Sequence, residues 1–137
     1  MIYALDSDII SYFLKRNRNI QNQLAIILNE NNFYSIPPLV YYEVKRWLLL
    51  RNATTQLREF TDLYHDSVKN EMTLEIWEKA IEIYMRLVSQ GTPIGKDGRE
   101  SDIFIASFCI INDYVLVTNN TKHFINIEEL KMDNWKN

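Results

Sequence analysis

Apolar positions in this chain alternate between short continuous runs and spacings of three and four, the two signatures of buried strands and amphipathic helices. Residues 2–5 form an apolar run that ends at Asp6, and Ile9, Ile10, Phe13 and Leu14 then fall at helical spacing through residues 7–14. Leu24, Ile27 and Leu28 predict a second short helix, which Asn31 and Asn32 interrupt before a strand over residues 33–36. Pro37 and Pro38 end that strand, and Pro38 suits the first turn of a helix running to about Arg51. Leu57, Phe60, Leu63 and Tyr64 mark a further amphipathic helix, and the two together predict a hairpin that projects from the body of the domain.

Residues 65–72 are ambiguous and suggest a brief strand. The clearest helix spans residues 73–90, where Leu74, Trp77, Ala80, Ile81, Tyr84 and Val88 form a stripe and Gly91 supplies the stop. Residues 92–101 hold Pro93, Gly95 and Gly98 among charges and read as a mobile loop. The run over residues 103–111 is apolar nearly all round, as in a helix buried between layers, and residues 114–117 form a β-branched-rich strand. Strands alternating with helices predict an α/β domain with a mainly parallel central sheet, helices on both faces, and a site at the carboxyl ends of the strands.

Composition narrows this picture. At 137 residues and 47% hydrophobic content, residues 1–137 are expected to form one domain. Cys109, the only cysteine, lies inside an apolar run and reads as a small buried hydrophobe. That fits a reducing compartment. No secretory pattern opens the sequence and no apolar stretch reaches the ~20 residues of a membrane span, so a cytoplasmic protein is expected. Fifteen Lys and Arg against eighteen Asp and Glu give a net charge of -3, unlike the basic footprint of a protein that grips nucleic acid by charge alone. An enzyme that gathers carboxylates around metal ions escapes that argument, because the ions supply the local positive field.

The polar clusters fall where such a site belongs. Asp6 and Asp8 follow the first strand, residues 118–121 follow the late one, and Glu43 and Asp102 lie near the starts of helices. Each acid also has a structural reading. Asp6 and Asp102 suit helix caps, Asp8 suits a first helical turn, and Glu43 has Arg46 at i+3 for an ion pair. Two carboxylates at ~4 Å repel by ~4 kcal/mol at an effective dielectric near 20, so a cluster of them needs protons or cations. Magnesium, a hard ion that prefers oxygen and keeps several waters, answers that need and matches the phosphates of a nucleic acid. His65 and His123 have no His or Cys at zinc-ligand spacing.

In order and spacing, the residues Leu5-Asp-Ser-Asp8, Glu43 after the Pro37-Pro38 break, Asp102-Ile-Phe-Ile-Ala106 and Leu116-Val-Thr-Asn-Asn-Thr-Lys-His-Phe124 resemble the VapC toxins of the PIN family, and the closing residues 130–135 are similar to their tail. The resemblance implies a PIN-like three-layer α/β/α domain and an endoribonuclease dependent on magnesium or manganese. It implies that Asp6 and Asp102 bind metal, that Glu43 is the third acid, and that Asn120 supplies the fourth polar position. It further implies an RNA substrate, inhibition by a VapB-like antitoxin and a homodimer. Two departures stand out. The family commonly has Asn at the place of Asp8, and many PIN domains carry an acid near Asn120, although the Asn-Asn version occurs in a recognised branch. The parts of Asp97, Glu100 and Asn119 are left open. Apolar and aromatic residues of the 38–64 hairpin exceed what one inward stripe can bury, which marks it as the expected antitoxin dock.

Two alternatives come from other classes. The Asp6-Ser-Asp8 opening is similar to that of haloacid-dehalogenase-like phosphatases, but no suitable acidic pair follows Thr118. A non-catalytic α/β interaction module would be told apart by its failure to bind divalent metal.

Overall fold

The computed structural model describes residues 1–92 and 100–137. Four strands, β1 (Ile2–Leu5), β2 (Phe33–Ser35), β3 (Val115–Val117) and β4 (Met132–Asp133), form one sheet in the order β2-β1-β3-β4. Every pairing is parallel. Among the described residues, six α-helices precede β3: α1 (Ser7–Leu14), α2 (Arg18–Asn29), α3 (Pro38–Leu50), α4 (Thr54–His65), α5 (Leu74–Ser89) and α6 (Ser101–Asn112). The chain leaves β1 toward β2 on one side and reaches β3 on the other, so right-handed crossovers put helices on both faces. The result is the expected three-layer α/β/α architecture.

Local chemistry sets the element ends. Asp6, Asn17 and Thr73 cap α1, α2 and α5 by accepting bonds from helix N–H groups, and Pro38 opens α3 with its fixed φ. Among the described residues, left-handed residues follow five of the helices, namely Arg16, Asn31, Asn52, Gly91 and Asp113. Arg16 is an unusual residue for that conformation, and its guanidinium is held 2.6 Å from the Glu59 carboxylate. The core runs through the sheet and the inner helix faces, with α6 contributing Ile103, Ile105, Ala106, Phe108 and Cys109. Burial raises the Cys109 thiol far above its ordinary range, which keeps it inert.

Several expectations change. The 38–64 hairpin lies back on the body, with α3 packed on α1 and α6 as well as α4, because Val40, Leu48 and Phe60 all find core partners. Residues 65–72 hold only an isolated bridge between Val68 and Ser35. Strand β4 carries no hydrophobic period of its own and joins by bonding to β3. Of the stripe read along α5 only Ala80 is buried. The inward face is Ile76, Ala80, Ile83 and Leu87, while Leu74, Trp77, Ile81, Tyr84 and Val88 turn outward. The loop expected over residues 92–101 falls mainly on residues 93–99, outside the described residues, and Asp97 lies there too.

Candidate active site

The parallel register pairs Leu5 with Val117. The next residue of each strand, Asp6 and Thr118, therefore emerges side by side at the carboxyl edge, where the chain direction diverges between β1 and β3. Asp6 N–H continues the ladder by donating to Val117 O at 3.0 Å. One oxygen of the Asp6 carboxylate accepts from Ser7 N–H at 2.8 Å, the capping bond, and the other accepts from the Thr118 hydroxyl at 2.9 Å. Thr118 Oγ1 in turn accepts from Asn120 N–H at 3.1 Å. Asp8, in the first turn of α1, accepts from Ile9 N–H at 2.7 Å and from Asn119 N–H at 3.0 Å. The capping and dipole readings of Asp6 and Asp8 are thus real, and both carboxylates also reach across to the segment after β3.

Asp6 is only 7% exposed. Burial, then the charges of Asp8 and Asp102, push its pKa up to about 7 against the bonds from Ser7 and Thr118. Burial likewise raises Asp8, opposed by the Asn119 and Ile9 amides. Asp102, in the first turn of α6, is near enough for its charge to act on Asp6. Asp102 is not the cap of that helix. Glu100 holds the cap position and makes no side-chain capping bond there. Glu43 is half-buried and lines a cleft of about 220 Å³ with Ser7, Ser11, Val44 and Trp47. Arg46 turns its guanidinium over the Tyr42 ring, 5.0 Å from the centroid.

The structure therefore gathers Asp6, Asp8 and residues 118–120 directly, sets Asp102 within electrostatic reach, and places Glu43 on the cleft that starts at Ser7. The Asn120 side chain is half-buried and its backbone amide joins the network. Thr118, fully buried, was missed as an individual, although its register opposite Asp6 is the signal that identifies it. Asn119 bonds the tail as well, accepting from Asn134 Nδ2 at 3.1 Å.

The donors present suit a hard cation. All are oxygens, Asp6 is buried within electrostatic reach of two other carboxylates, and no ion pair among the described residues reaches Asp6 or Asp8. Among the described residues no three His, Cys, Asp or Glu side chains are grouped closely enough to hold an ion by themselves. Water or phosphate would complete the shell, as is usual for magnesium.

Comparison with known proteins agrees with this fold. The profile of the PIN domain matches residues 3–130. Over 135 residues the chain is 26% identical to Ribonuclease VapC2 of Rickettsia felis, covering 98% of each. The fold is similar to the crystal structure of VapBC2 from Rickettsia felis bound to a DNA fragment from their promoter, with a TM-score of 0.83, 26% identity, and coverage of 98% of this chain and 99% of that one. It is equally similar to VapBC-1 from nontypeable Haemophilus influenzae, with a TM-score of 0.83, 27% identity and full coverage of both chains.

Proposed function

The chain belongs to the PIN domain family, and from that premise we propose that it is a metal-dependent endoribonuclease acting as the toxin of a toxin–antitoxin pair. The observation that carries the reading is the buried Asp6 carboxylate, within electrostatic reach of Asp8 and Asp102 at the carboxyl edge of the sheet. Asp6 and Asp102 would hold the metal, magnesium or manganese, and Glu43 and Asn120 are the other catalytic positions. When bound, the ion supplies Lewis-acid stabilisation of phosphate charge and a water of lowered pKa. The protein's own part is to fix the carboxylates. Ser7 N–H and the Thr118 hydroxyl hold both oxygens of Asp6, and Asn119 N–H holds Asp8, so the acids need not reorganise as charge develops. Glu43 borders the cleft from which RNA would approach.

A VapB-like antitoxin fits the outer face of the hairpin, where Tyr42, Leu49 and Leu50 are exposed beside Arg46. A second copy fits the outward stripe of α5. Leu74, Trp77, Ile81, Tyr84 and Val88 alternate spacings of three and four along the whole helix, the pattern that a facing helix fills knobs-into-holes. Among the described residues no helix is long and apolar enough to cross a membrane.

The test is cleavage of single-stranded RNA by antitoxin-free protein with and without chelator. Parent protein should cleave only with magnesium or manganese, and Asp6→Asn and Asp102→Asn should each lose at least a hundredfold in rate while folding normally. Full cleavage after complete metal removal, or by either folded variant, would exclude this mechanism.

A further inference from the structure

Along α3 the residues Glu43, Trp47 and Arg51 follow one another at intervals of four, so they form a single row with steps of about 6 Å. Opposite them, Ser7 and Ser11 form the matching row on α1, and Val44 completes the cleft between the two. One wall thus offers two hydroxyls, each able to donate and accept. The other offers a carboxylate and, one turn along, an indole. Arg51 lies past the indole, exposed, with its guanidinium 4.5 Å from the Trp47 ring centroid. At about 220 Å³ the cleft is smaller than the ~300–1,000 Å³ of a pocket for a whole ligand, and suits one planar group of a larger molecule.

The charge pattern says which molecule. The chain is acidic overall, yet α3 and its cap Arg51 carry Lys45, Arg46 and Arg51 against the single acid Glu43. Each cation meets an aromatic side chain one turn back: Lys45 donates to the Tyr41 hydroxyl at 3.0 Å, Arg46 stands over the Tyr42 ring, and Arg51 over the Trp47 ring. Aromatic faces beside guanidinium groups are what single-stranded nucleic acid uses, with bases stacking and phosphates pairing. We propose that the cleft between α1 and α3 is a nucleobase subsite, in which a base next to the scissile phosphate stacks on Trp47, the Ser7 and Ser11 hydroxyls read its edge, and Arg51 meets the following phosphate. The proposal rests on the ribonuclease reading and adds to it the feature that selects where RNA is cut.

Two readouts separate the proposal from the activity on which it rests. The first is steady-state cleavage of a set of single-stranded RNAs of varied sequence by parent, Trp47→Phe, Trp47→Ala and Arg51→Gln. Trp47→Ala should raise KM about tenfold, much more than it lowers kcat, and should flatten the preference among cleavage sites, while Trp47→Phe keeps most of both. The second is tryptophan fluorescence during titration with a non-cleavable 2′-O-methyl RNA oligonucleotide in chelator. Quenching seen in the parent should be largely lost in Trp47→Phe, which retains Trp77 and Trp135. Parent values of KM and site preference in Trp47→Ala, or parent quenching in Trp47→Phe, would overturn the subsite. A Trp47→Ala variant that loses only affinity for a VapB-type antitoxin would overturn it too, making the cleft a protein dock. A parent that shows the Trp47-dependent quench yet cuts no RNA would uphold the subsite and sink the ribonuclease reading instead.

Discussion

Thr118 links the two sides of the site through one hydroxyl, which donates to Asp6 and accepts from Asn120 N–H. Thr118→Val preserves shape and removes both bonds from a fully buried position, so it should cost about 1–3 kcal/mol in stability, measured by denaturant unfolding. It should also slow RNA cleavage at least tenfold, with Thr118→Ser restoring most of both. Equal behaviour of Val and parent would show that the hydroxyl positions nothing. The residue scale also shows what a sequence can and cannot display. Asp6 was readable both as a cap and as an acid at a strand end, and the structure makes it both. Thr118 was hidden because a threonine at a strand terminus has many ordinary uses. Only the pairing of Leu5 with Val117 turns it toward a carboxylate. Asp102 looked like a cap from its place before an apolar helix, but that helix begins earlier, at Ser101, with Glu100 in the cap position.

At the scale of elements, α5 carries two apolar faces, one packed inward and one outward. A period of 3.6 is satisfied by both, so the sequence located the helix between Thr73 and Gly91 but not the side that meets the core. The outward face yields a prediction. Ile81 is 57% exposed at its centre, so Ile81→Glu should cost the isolated fold less than about 0.5 kcal/mol while converting a homodimer to monomers. Light scattering after size exclusion reads the result, and an unchanged mass, whether one copy or two, would remove α5 from the interface. Strand β4 was out of reach for a different reason. Its two residues are too few to show a period, and it is held by backbone bonds, with Leu116 N–H donating to Lys131 O and Thr118 N–H to Asp133 O. The hairpin of α3 and α4 was foreseen as two helices but misjudged as projecting, because packing of Phe60 and Leu63 into the body depends on tertiary partners that local pattern does not contain.

For the molecule as a whole, the acidic site works against the fold until a cation enters. The Asp6 pKa is raised from 3.8 to about 7, so the native chain holds that proton more tightly than the unfolded chain. The associated stability is fully present below about 3.8 and is lost as pH rises through about 7, a swing of roughly 4 kcal/mol. In chelator, the Tm of the parent relative to Asp6→Asn should therefore fall between pH 5 and pH 8, and magnesium should restore it at pH 8. A difference that stays flat across this range would show that Asp6 does not bear the charge cost. A last consequence follows from the bond between Thr118 and Asp6, which joins residues 112 positions apart. A ribosome delivers Thr118 112 residues after Asp6, once α1 to α6 have all been made. Contacts of such long range form late, since the intervening chain must first be gathered in. The acidic edge is consequently unarmed on the ribosome until β3 has been made, and the message being read is beyond the reach of the chain it encodes while α1 to α6 are still being translated.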